Sequence, residues 1–223
     1  MTTPTFSSSS YTAVFAATVR AGLGTVSRDF LNRHTSRVIS FRAGDEEDET
    51  RWGFRGRRGA ADLYYTAFGC RALHALCELR SFAEPLARWA QAQRPTDIIE
   101  VSSRLSALFL LDQQVPPDSS PADRIEPLRT PDGGYGRRPD DAHGSTYQTF
   151  LALLCYDLLG QSPPEPEAAA QFVLGRQRED GGFAEQQAAE HGNTNATAAA
   201  LIMCLLLEAG TEPVRRRALR FLA

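Results

Sequence analysis

The sequence predicts an all-α fold in which antiparallel helix pairs follow one another in an arc. A glycine-rich turn recurs along the chain, and a helix-length apolar segment follows each copy. Self-similarity with a period of tens of residues is typical of repeated helix pairs. The chain also lacks the alternation of apolar and polar residues that indicates half-buried strands. Each repeat is therefore expected to contribute one helix pair, with its more apolar helix on the concave side of the arc.

Length and composition exclude several classes of function. The chain has 223 residues, of which 42% are hydrophobic, so it can bury a sizeable core. Its net charge is −3 and its basic residues are scattered, which argues against a nucleic-acid partner. All 24 basic residues are arginines. Because lysine is absent, Schiff-base chemistry and a P-loop lysine are excluded.

The N-terminal segment 1–10 is predicted to be disordered, and residues 11–223 are predicted to form one repeat domain. No basic region precedes the first apolar segment, so a secretory signal is not indicated and a cytoplasmic protein is expected. The longest uninterrupted apolar run, 198–207, has ten residues, half of the roughly 20 needed to cross a bilayer, so no membrane span is expected. The cysteines form no CxxC pair and are predicted to be reduced core thiols: Cys70, Cys77, Cys155 and Cys204.

Two helix pairs are predicted before residue 112. In each pair an amphipathic outer helix precedes an inner helix that is apolar on nearly every side and so must be buried among other helices. An acidic loop and a glycine turn separate the helices of the first pair, whereas the second pair lacks a double glycine. The first pair is predicted as an outer helix at 28–42, an acidic loop at 45–49, a glycine turn at 53–54 and an inner helix at 67–79. The second pair is predicted as an outer helix at 84–93 and an inner helix at 97–111.

The second half of the chain carries the clearest repeat. Asp132-Gly133-Gly134-Tyr135 and Asp180-Gly181-Gly182-Phe183 are 48 residues apart, from position 132 to position 180. The same offset relates His143-Gly144 to His191-Gly192. An inner helix is predicted after each of these turns, at 146–159 and 194–207.

An outer helix is predicted between these inner helices, at 167–177. Its apolar side chains share one face, which leaves Arg176 and Arg178 off the buried face. Residues 213–223 restart the pattern before the sequence ends, so an array that is incomplete at its C-terminus is expected. Its open edge would expose apolar side chains of 196–207 and of the last helix, which favours self-association or a partner subunit.

These glycine turns resemble those of the prenyltransferase and squalene-cyclase repeat family, whose members close helix pairs into an α/α toroid around a central apolar cavity. The similarity extends over residues 28–223 and is closest to the β subunits of protein prenyltransferases. It implies a partial α/α toroid that binds an isoprenoid diphosphate for prenyl transfer. The segments that carry the similarity are 62–66, 132–139 and 177–183.

One further segment concerns the diphosphate. Asp141-Ala142-His143-Gly144-Ser145 is similar to a family segment whose histidine donates a hydrogen bond to the isoprenoid diphosphate. The match implies this role for His143, with Arg137 and Arg138 on the preceding loop, and a helix N-terminus also favours an anion. His143 can also be a solvated loop residue or a helix cap.

Aromatic and polar residues begin several inner helices. An aromatic ring there can line an isoprenoid channel, although packing alone predicts the same residue types. Asn193 and Asn195 are predicted to cap the last inner helix. The candidate cavity-lining residues are Tyr64, Tyr65 and Tyr147.

The resemblance also implies a zinc ion, which Asp, Cys and His hold in protein prenyltransferases and which ionises the acceptor thiol. His191-Gly192-Asn193 stands where the Asp-x-Cys pair belongs. The third ligand would fall beyond Ala223, and the segment 62–66, which has the same form, carries Tyr65 in place of the histidine. No zinc is therefore expected. The acid motif of terpene cyclases is not matched either, since Asp140-Asp141-Ala142 lacks the leading aspartate.

Two functions remain open from the sequence. The chain is either a prenyltransferase-like or cyclase-like domain that binds an isoprenoid diphosphate, or a non-catalytic helical scaffold that has lost the metal site. The matched motifs favour the first, and the missing ligands favour the second. The sequence leaves open whether the chain is an enzyme.

Overall fold

The computed structural model describes residues 6–23, 26–45, 48–118 and 120–223, and these are mostly helical. They form two compact units. The first contains the described residues of Met1–Thr96, Glu100–Ser119 and Leu158–Gly160, and the second those of Asp97–Ile99, Ser120–Asp157 and Gln161–Ala223. The helices are α1 (Tyr11–Leu23), α2 (Arg28–Ile39), α3 (Leu63–Ala75), α4 (Ala83–Ala92), α5 (Ile98–Leu110), α6 (Pro121–Arg124), α7 (Thr146–Leu158), α8 (Pro166–Leu174), α9 (Thr194–Leu206) and α10 (Glu212–Leu222).

The predicted outer and inner helices are confirmed as helices. The outer helices are α2, α4, α8 and α10, and the inner helices are α3, α5, α7 and α9. The largest shift concerns α3, which begins at Leu63 because the carboxylate of Asp62 accepts a hydrogen bond from Tyr65 N at 2.7 Å and caps the helix. The arrangement of the pairs in an arc or toroid stays a prediction.

A small antiparallel sheet corrects the all-α prediction. Strand β1 (Arg42–Asp45) pairs with β2 (Asp48–Phe54). Trp52 and Phe54 are buried on one side of β2, and Gly53 lies between them. Apolar side chains two residues apart are the signal of a half-buried strand, but here the signal spans three residues and follows an acidic run. It was too short to be recognised.

The hairpin also changes the boundaries of the first predicted elements. The outer helix predicted at 28–42 ends at Ile39, and the chain then enters β1. The acidic run 45–49 was predicted as a loop. Residues 46 and 47 of that run lie outside the described residues, and the residues on either side belong to β1 and β2.

Helix α1 has no counterpart in the sequence prediction. Its apolar residues are spread around the helix rather than gathered in one stripe, and none of its side chains is buried. Just before it, Ser7 N donates a hydrogen bond to the carbonyl oxygen of Leu158 at 2.7 Å. Within the segment 1–10 that was predicted to be disordered, residues 1–5 lie outside the described residues.

Each unit has its own apolar core. In the first unit β2 packs against α3 and α4, and the core includes Trp52, Phe54, Leu73 and Leu86. In the second unit α8, α9 and α10 pack together through buried side chains of each helix. The residues of this second core are Leu153, Val173, Phe183, Ala200, Met203, Cys204 and Ala218.

The same hydrogen bond joins three turns to the helices that follow them. In each case a buried threonine oxygen accepts from the backbone N–H of the aromatic residue at the end of β2 or in a double-glycine turn. The pairs are Phe54 N with Thr66 Oγ1 at 2.9 Å, Tyr135 N with Thr149 Oγ1 at 2.9 Å, and Phe183 N with Thr197 Oγ1 at 2.8 Å. These contacts give the recurring turn residues and threonines a common structural role.

The two double-glycine turns approach the backbone of the next outer helix. Gly133 and Gly181 have φ angles of 84° and 89°, in the left-handed region that favours glycine. A Cβ atom would lie 2.8 Å from the carbonyl oxygen of Ala168 at the first turn and of Arg217 at the second. Glycine therefore allows each turn to contact the backbone of α8 or α10.

The cysteine prediction is confirmed at three positions and wrong at one. All four thiols are free, and Cys70, Cys155 and Cys204 are buried. Cys77 is exposed, because it follows the end of α3 in a turn with a φ of 62°. Among the described residues, no helix has the length and apolar character needed to cross a membrane.

The last two helices are only partly covered. The side chains of Met203 and Ala218 lie in the second core, whereas Leu205 and Leu219 are 61% and 59% exposed. The ring of Phe221 lies close to Gly182. The exposed leucines agree with the expectation of apolar side chains at this edge, and the incomplete array itself stays a prediction.

Candidate functional site

An exposed aromatic surface covers the N-terminal half of α3. Tyr64, Tyr65 and Phe68 are 39%, 43% and 48% exposed. Their rings meet edge to face, with centroids 5.4 Å apart for the two tyrosines and 4.9 Å apart for Tyr64 and Phe68. The opposite side of the helix, including Ala67 and Cys70, is buried. Helix α3 thus leaves three aromatic side chains partly open to solvent.

This surface continues into an apolar groove between α2 and α3. The groove has a volume of ≈ 370 Å³, within the range of small-molecule sites of about 300–1,000 Å³. Tyr65 and Phe68 belong to its lining. Helix α2 and the segments around it contribute the other walls. The remaining apolar lining residues are Val38, Phe41, Phe54, Gly69 and Ala72.

Three arginines line the same groove. Arg37 stacks over the ring of Phe41, with its guanidinium carbon 5.0 Å from the ring centroid. Arg55 and Arg57 follow β2, and Arg55 is fixed by a hydrogen bond from its backbone N to the carbonyl oxygen of Phe41 at 3.0 Å. In the part of the chain that the structure describes, none of the three forms an ion pair with a carboxylate. The groove therefore combines apolar walls with unneutralised positive charge.

Two glycines shape the groove. A Cβ atom at Gly56 would lie 2.7 Å from the ring of Tyr65, and one at Gly69 would overlap the ring of Phe54. Both aromatic rings therefore occupy positions that only glycine permits. The rings of Tyr65 and Phe54 both belong to the lining, so these close approaches set the shape of the groove.

The predicted diphosphate ligands lie in the second unit. Arg137 Nε donates a hydrogen bond to the buried carboxylate of Asp97 at 2.7 Å, so its charge is paired. The carboxylate of Asp141 accepts from the backbone N of Arg137 and of Arg138, at 2.7 and 3.0 Å, and stabilises their loop. His143 is exposed and lies just before α7, as the sequence predicted. Tyr147, in the first turn of α7, is 36% exposed.

Two polar networks of the second unit were missed by sequence reasoning. In the first, Asp132 accepts hydrogen bonds from Thr130 Oγ1 at 2.6 Å and Gly144 N at 3.1 Å, and its carboxylate forms an ion pair with Arg176 at 3.2 Å. Arg176 was predicted to lie off the buried face, yet its side chain is only 2% exposed. The prediction was wrong because Arg176 follows the end of α8 at Leu174, so its side chain does not obey the helical period.

The second network surrounds Glu126. Its carboxylate accepts hydrogen bonds from the hydroxyls of Tyr135 and Tyr156 and from the guanidinium of Arg129. Burial raises the pKa of Glu126, but hydrogen bonds from Arg129, Tyr156 and Tyr135 outweigh it and hold the pKa below its ordinary value. Burial also raises the pKa values of both tyrosines. The network holds one carboxylate ionised inside the second unit.

Comparison with known proteins bears on the fold. No family model matches the sequence, and no curated protein matches it. Among solved structures, Candida albicans protein geranylgeranyltransferase-I complexed with GGPP is similar, with a TM-score of 0.63 and 13% sequence identity. The match covers 90% of this chain and 70% of that chain. The chain has a prenyltransferase-like helical fold. At this identity the similarity establishes the fold alone.

The prenyltransferase-like fold raises the question of zinc, and the residues present do not fit that ion. Asn193 Oδ1 accepts a hydrogen bond from Ala196 N at 2.8 Å, so this side chain caps α9, as predicted. Asn195 lies inside α9 and is not the cap. His191 is 84% exposed, with Nδ1 3.8 Å from the carboxylate of Asp180. Across the described ranges, no group of three or more His, Cys, Asp or Glu side chains is placed to hold a metal.

Proposed function

We propose that this chain binds an isoprenoid diphosphate in the groove between α2 and α3 and does so without a metal ion. The observation that carries the proposal is the combination of an apolar, aromatic groove with three arginines that have no carboxylate partner among the described residues. An isoprenoid diphosphate has the matching chemistry, an unsaturated hydrocarbon chain joined to a multiply charged anion. The GGPP complex of the similar fold supports this choice of ligand class.

The hydrocarbon chain would lie on the aromatic residues. Val38, Phe41 and Phe68 offer apolar surface, and removing such surface from water gains about 25 cal/mol per Å². Tyr65 has an apolar ring and a hydroxyl that can remain solvated. This role deepens the sequence interpretation of Tyr65 as a cavity-lining residue and extends it to Phe68.

The diphosphate would bind at the arginine side of the groove. Guanidinium groups form paired hydrogen bonds with phosphate oxygens, and they keep their charge at any physiological pH. Arg55 and Arg57 are close in sequence and follow a strand whose backbone is fixed by pairing with β1. They therefore offer two cations on a short, anchored segment. The residues His143, Arg137 and Arg138 remain the competing proposal for this role.

The groove contains no pair of groups for ionising an acceptor thiol. Across the described residues the zinc ligands of the prenyltransferases are not matched either. The proposed activity is therefore ligand binding, which accommodates a carrier or a regulatory subunit. A scaffold that binds no isoprenoid is the second candidate function, because Asn193 is used as a helix cap at the place where the family has a metal ligand.

Isothermal titration with geranylgeranyl diphosphate tests the location of the site. Replacing both Arg55 and Arg57 with alanine should weaken binding by about tenfold or more, since each charge-assisted hydrogen bond contributes roughly 1.5–3 kcal/mol. Arg33→Ala is the matched control, because Arg33 is exposed on α2 and does not line the groove. If His143→Ala abolishes binding and the double variant does not, the groove is the wrong site. If the unaltered chain binds no isoprenoid diphosphate, the second candidate function, a scaffold that binds no isoprenoid, is the correct one.

A further inference from the structure

A second cleft of the first unit lies beneath helix α1. It has a volume of ≈ 810 Å³ and opens between α1 and the C-terminal ends of α3 and α5. The segment after α3, a short 3₁₀ helix at Leu79–Phe82, contributes part of its floor. No residue that lines this cleft also lines the groove between α2 and α3. The two spaces are therefore separate candidate sites.

The walls of the cleft are largely apolar and do not fill it. Helix α1 presents four alanines to the cleft, at positions 13, 16, 17 and 21, whereas its larger side chains Val14 and Phe15 are 57% and 53% exposed. Leu79 and Phe109 lie among the residues of the other wall. A concave space of this size beside apolar walls suits a hydrocarbon chain.

Basic side chains from three different elements line the same cleft. Arg20 comes from α1, His74 from α3 and Arg80 from the 3₁₀ helix. Within the described residues, neither Arg20 nor Arg80 forms an ion pair. Asp112 is the acidic residue of the lining, so the two arginines leave an excess of positive charge.

His74 adds a hydrogen-bonding group to the cleft lining, close enough to Arg20 to be affected by its charge. Burial, together with the charge of Arg20, lowers the pKa of His74. Its ring is therefore neutral at pH 7 and can donate one hydrogen bond to an anionic head group while Arg20 supplies the charge.

We infer that the cleft beneath α1 binds an amphiphile made of one apolar chain and a phosphate or carboxylate head group. The chain would lie between the alanines of α1 and the wall that contains Leu79 and Phe109. The head group would bind Arg20 and Arg80, whose guanidinium groups can each pair with two oxygen atoms. This site is independent of the proposed isoprenoid site, because its residues are different.

Cys77 provides a local readout of this cleft. It lines the cleft and is exposed, whereas the other three cysteines are buried. The rate at which a thiol reagent such as 5,5′-dithiobis(2-nitrobenzoate) modifies the folded chain therefore reports on Cys77. A ligand in the cleft should slow this reaction. A ligand in the groove between α2 and α3 should leave the rate unchanged.

The experiment compares three probes on the full chain: decyl phosphate, decanol and inorganic phosphate. Decyl phosphate should protect Cys77 at concentrations at least about tenfold lower than either of the other probes, because it alone supplies both the chain and the charge. Equal protection by decanol would show that the head group is not recognised. Equal protection by inorganic phosphate would show a simple anion site. Either result would overturn the inference, as would the absence of protection by decyl phosphate.

Variants then test whether Arg20 and Arg80 bind the head group. Replacing Arg20 and Arg80 together with alanine should raise the concentration of decyl phosphate needed for half-protection by about tenfold or more. Both side chains are exposed and carry no ion pair among the described residues, so the variant should fold. Arg33→Ala is the matched control and should leave protection unchanged, because Arg33 is exposed and lines neither the cleft nor the groove. If Arg57→Ala abolishes protection and the double variant retains it, the amphiphile binds in the groove and the inference is wrong.

Discussion

Asp132 connects three segments of the second unit through one carboxylate. It bonds to its own turn through Thr130, to the loop before α7 through Gly144 N, and to Arg176 after α8. Arg176 also donates to the carbonyl oxygen of Gly144 at 2.9 Å. Because the guanidinium is buried, loss of the negative charge would leave a cation with little solvation.

The variant Asp132→Asn should therefore lower the free energy of unfolding by about 2–4 kcal/mol, a value taken from broken buried ion pairs and reduced for the partial exposure of Asp132. Urea unfolding followed by circular dichroism measures the change. Asp180→Asn is the matched control. Asp180 accepts the equivalent backbone bond from Gly192 at 3.0 Å, but the side chain nearest its carboxylate on the other side, His191, is 84% exposed at 3.8 Å, so the loss should be about 0.5 kcal/mol or less. Equal losses would contradict the role assigned to Arg176.

Glu126 should make the free energy of unfolding depend on pH in the acidic range. Since the folded-state pKa of Glu126 is lowered, the unfolded chain binds its proton more readily. The stabilisation is present above the unfolded pKa of about 4.3 and is lost as the pH falls through the folded pKa. Urea unfolding at pH values between 6 and 3 should show a smaller acid-induced loss for Glu126→Gln than for the unaltered chain. Parallel curves for the two proteins would show that Glu126 is not held ionised by its network.

At the scale of elements, the junctions between turns and inner helices are the recurring unit of this fold. In each of them a threonine oxygen accepts a hydrogen bond from the buried backbone N–H of the aromatic residue that precedes the helix. An unsatisfied buried N–H costs about 1–3 kcal/mol. The threonine therefore fixes the start of the helix relative to the turn, and through it the packing of the aromatic ring.

The variant Thr197→Val keeps the shape of the side chain but leaves Phe183 N without its acceptor. It should lower the free energy of unfolding by about 1–3 kcal/mol in urea. Thr194→Val is the control, because Thr194 is exposed in the first turn of the same helix and should change stability by less than about 0.5 kcal/mol. A loss for Thr197→Val as small as that of the control would mean that the junction does not depend on this bond.

The sequence predicted the elements whose signal is long and local. Inner helices such as α7 and α9 carry long apolar runs and follow a glycine turn, so both ends could be placed within a residue or two. Helix α1 and the hairpin were missed because the apolar residues of the first are spread around the helix and the second alternates over too few residues. Arg176 was misplaced because its environment depends on Asp132, which lies 44 positions earlier in the chain.

The candidate site was predicted only in part for a similar reason. Tyr64 and Tyr65 were recognised because they begin an inner helix and match a family motif. Arg37 and Arg55 meet at the groove only after the hairpin folds back between α2 and α3, and no local motif marks them. Exposed arginines are common on protein surfaces, so their functional meaning depends on which apolar walls they adjoin.

At the scale of the whole molecule, a prenyltransferase-like helical fold carries residues that do not fit the metal of that family. Elemental analysis of the purified chain should therefore find well below one zinc ion per chain. Asn193 cannot act as a thiolate ligand, and a site without the aspartate and the thiolate loses most of its affinity. About one zinc per chain, lost in the variant His191→Ala, would show that a metal site exists after all.

The central claim is that the chain binds an isoprenoid diphosphate without a metal. Calorimetric titration of the full chain with geranylgeranyl diphosphate, in a chelator and again with added zinc, tests it most directly. We expect saturable binding of one ligand in the α2–α3 groove, with the same affinity under both conditions, because the cations proposed to bind the diphosphate are arginines. Binding that appears only with zinc, or no binding under either condition, would contradict the claim.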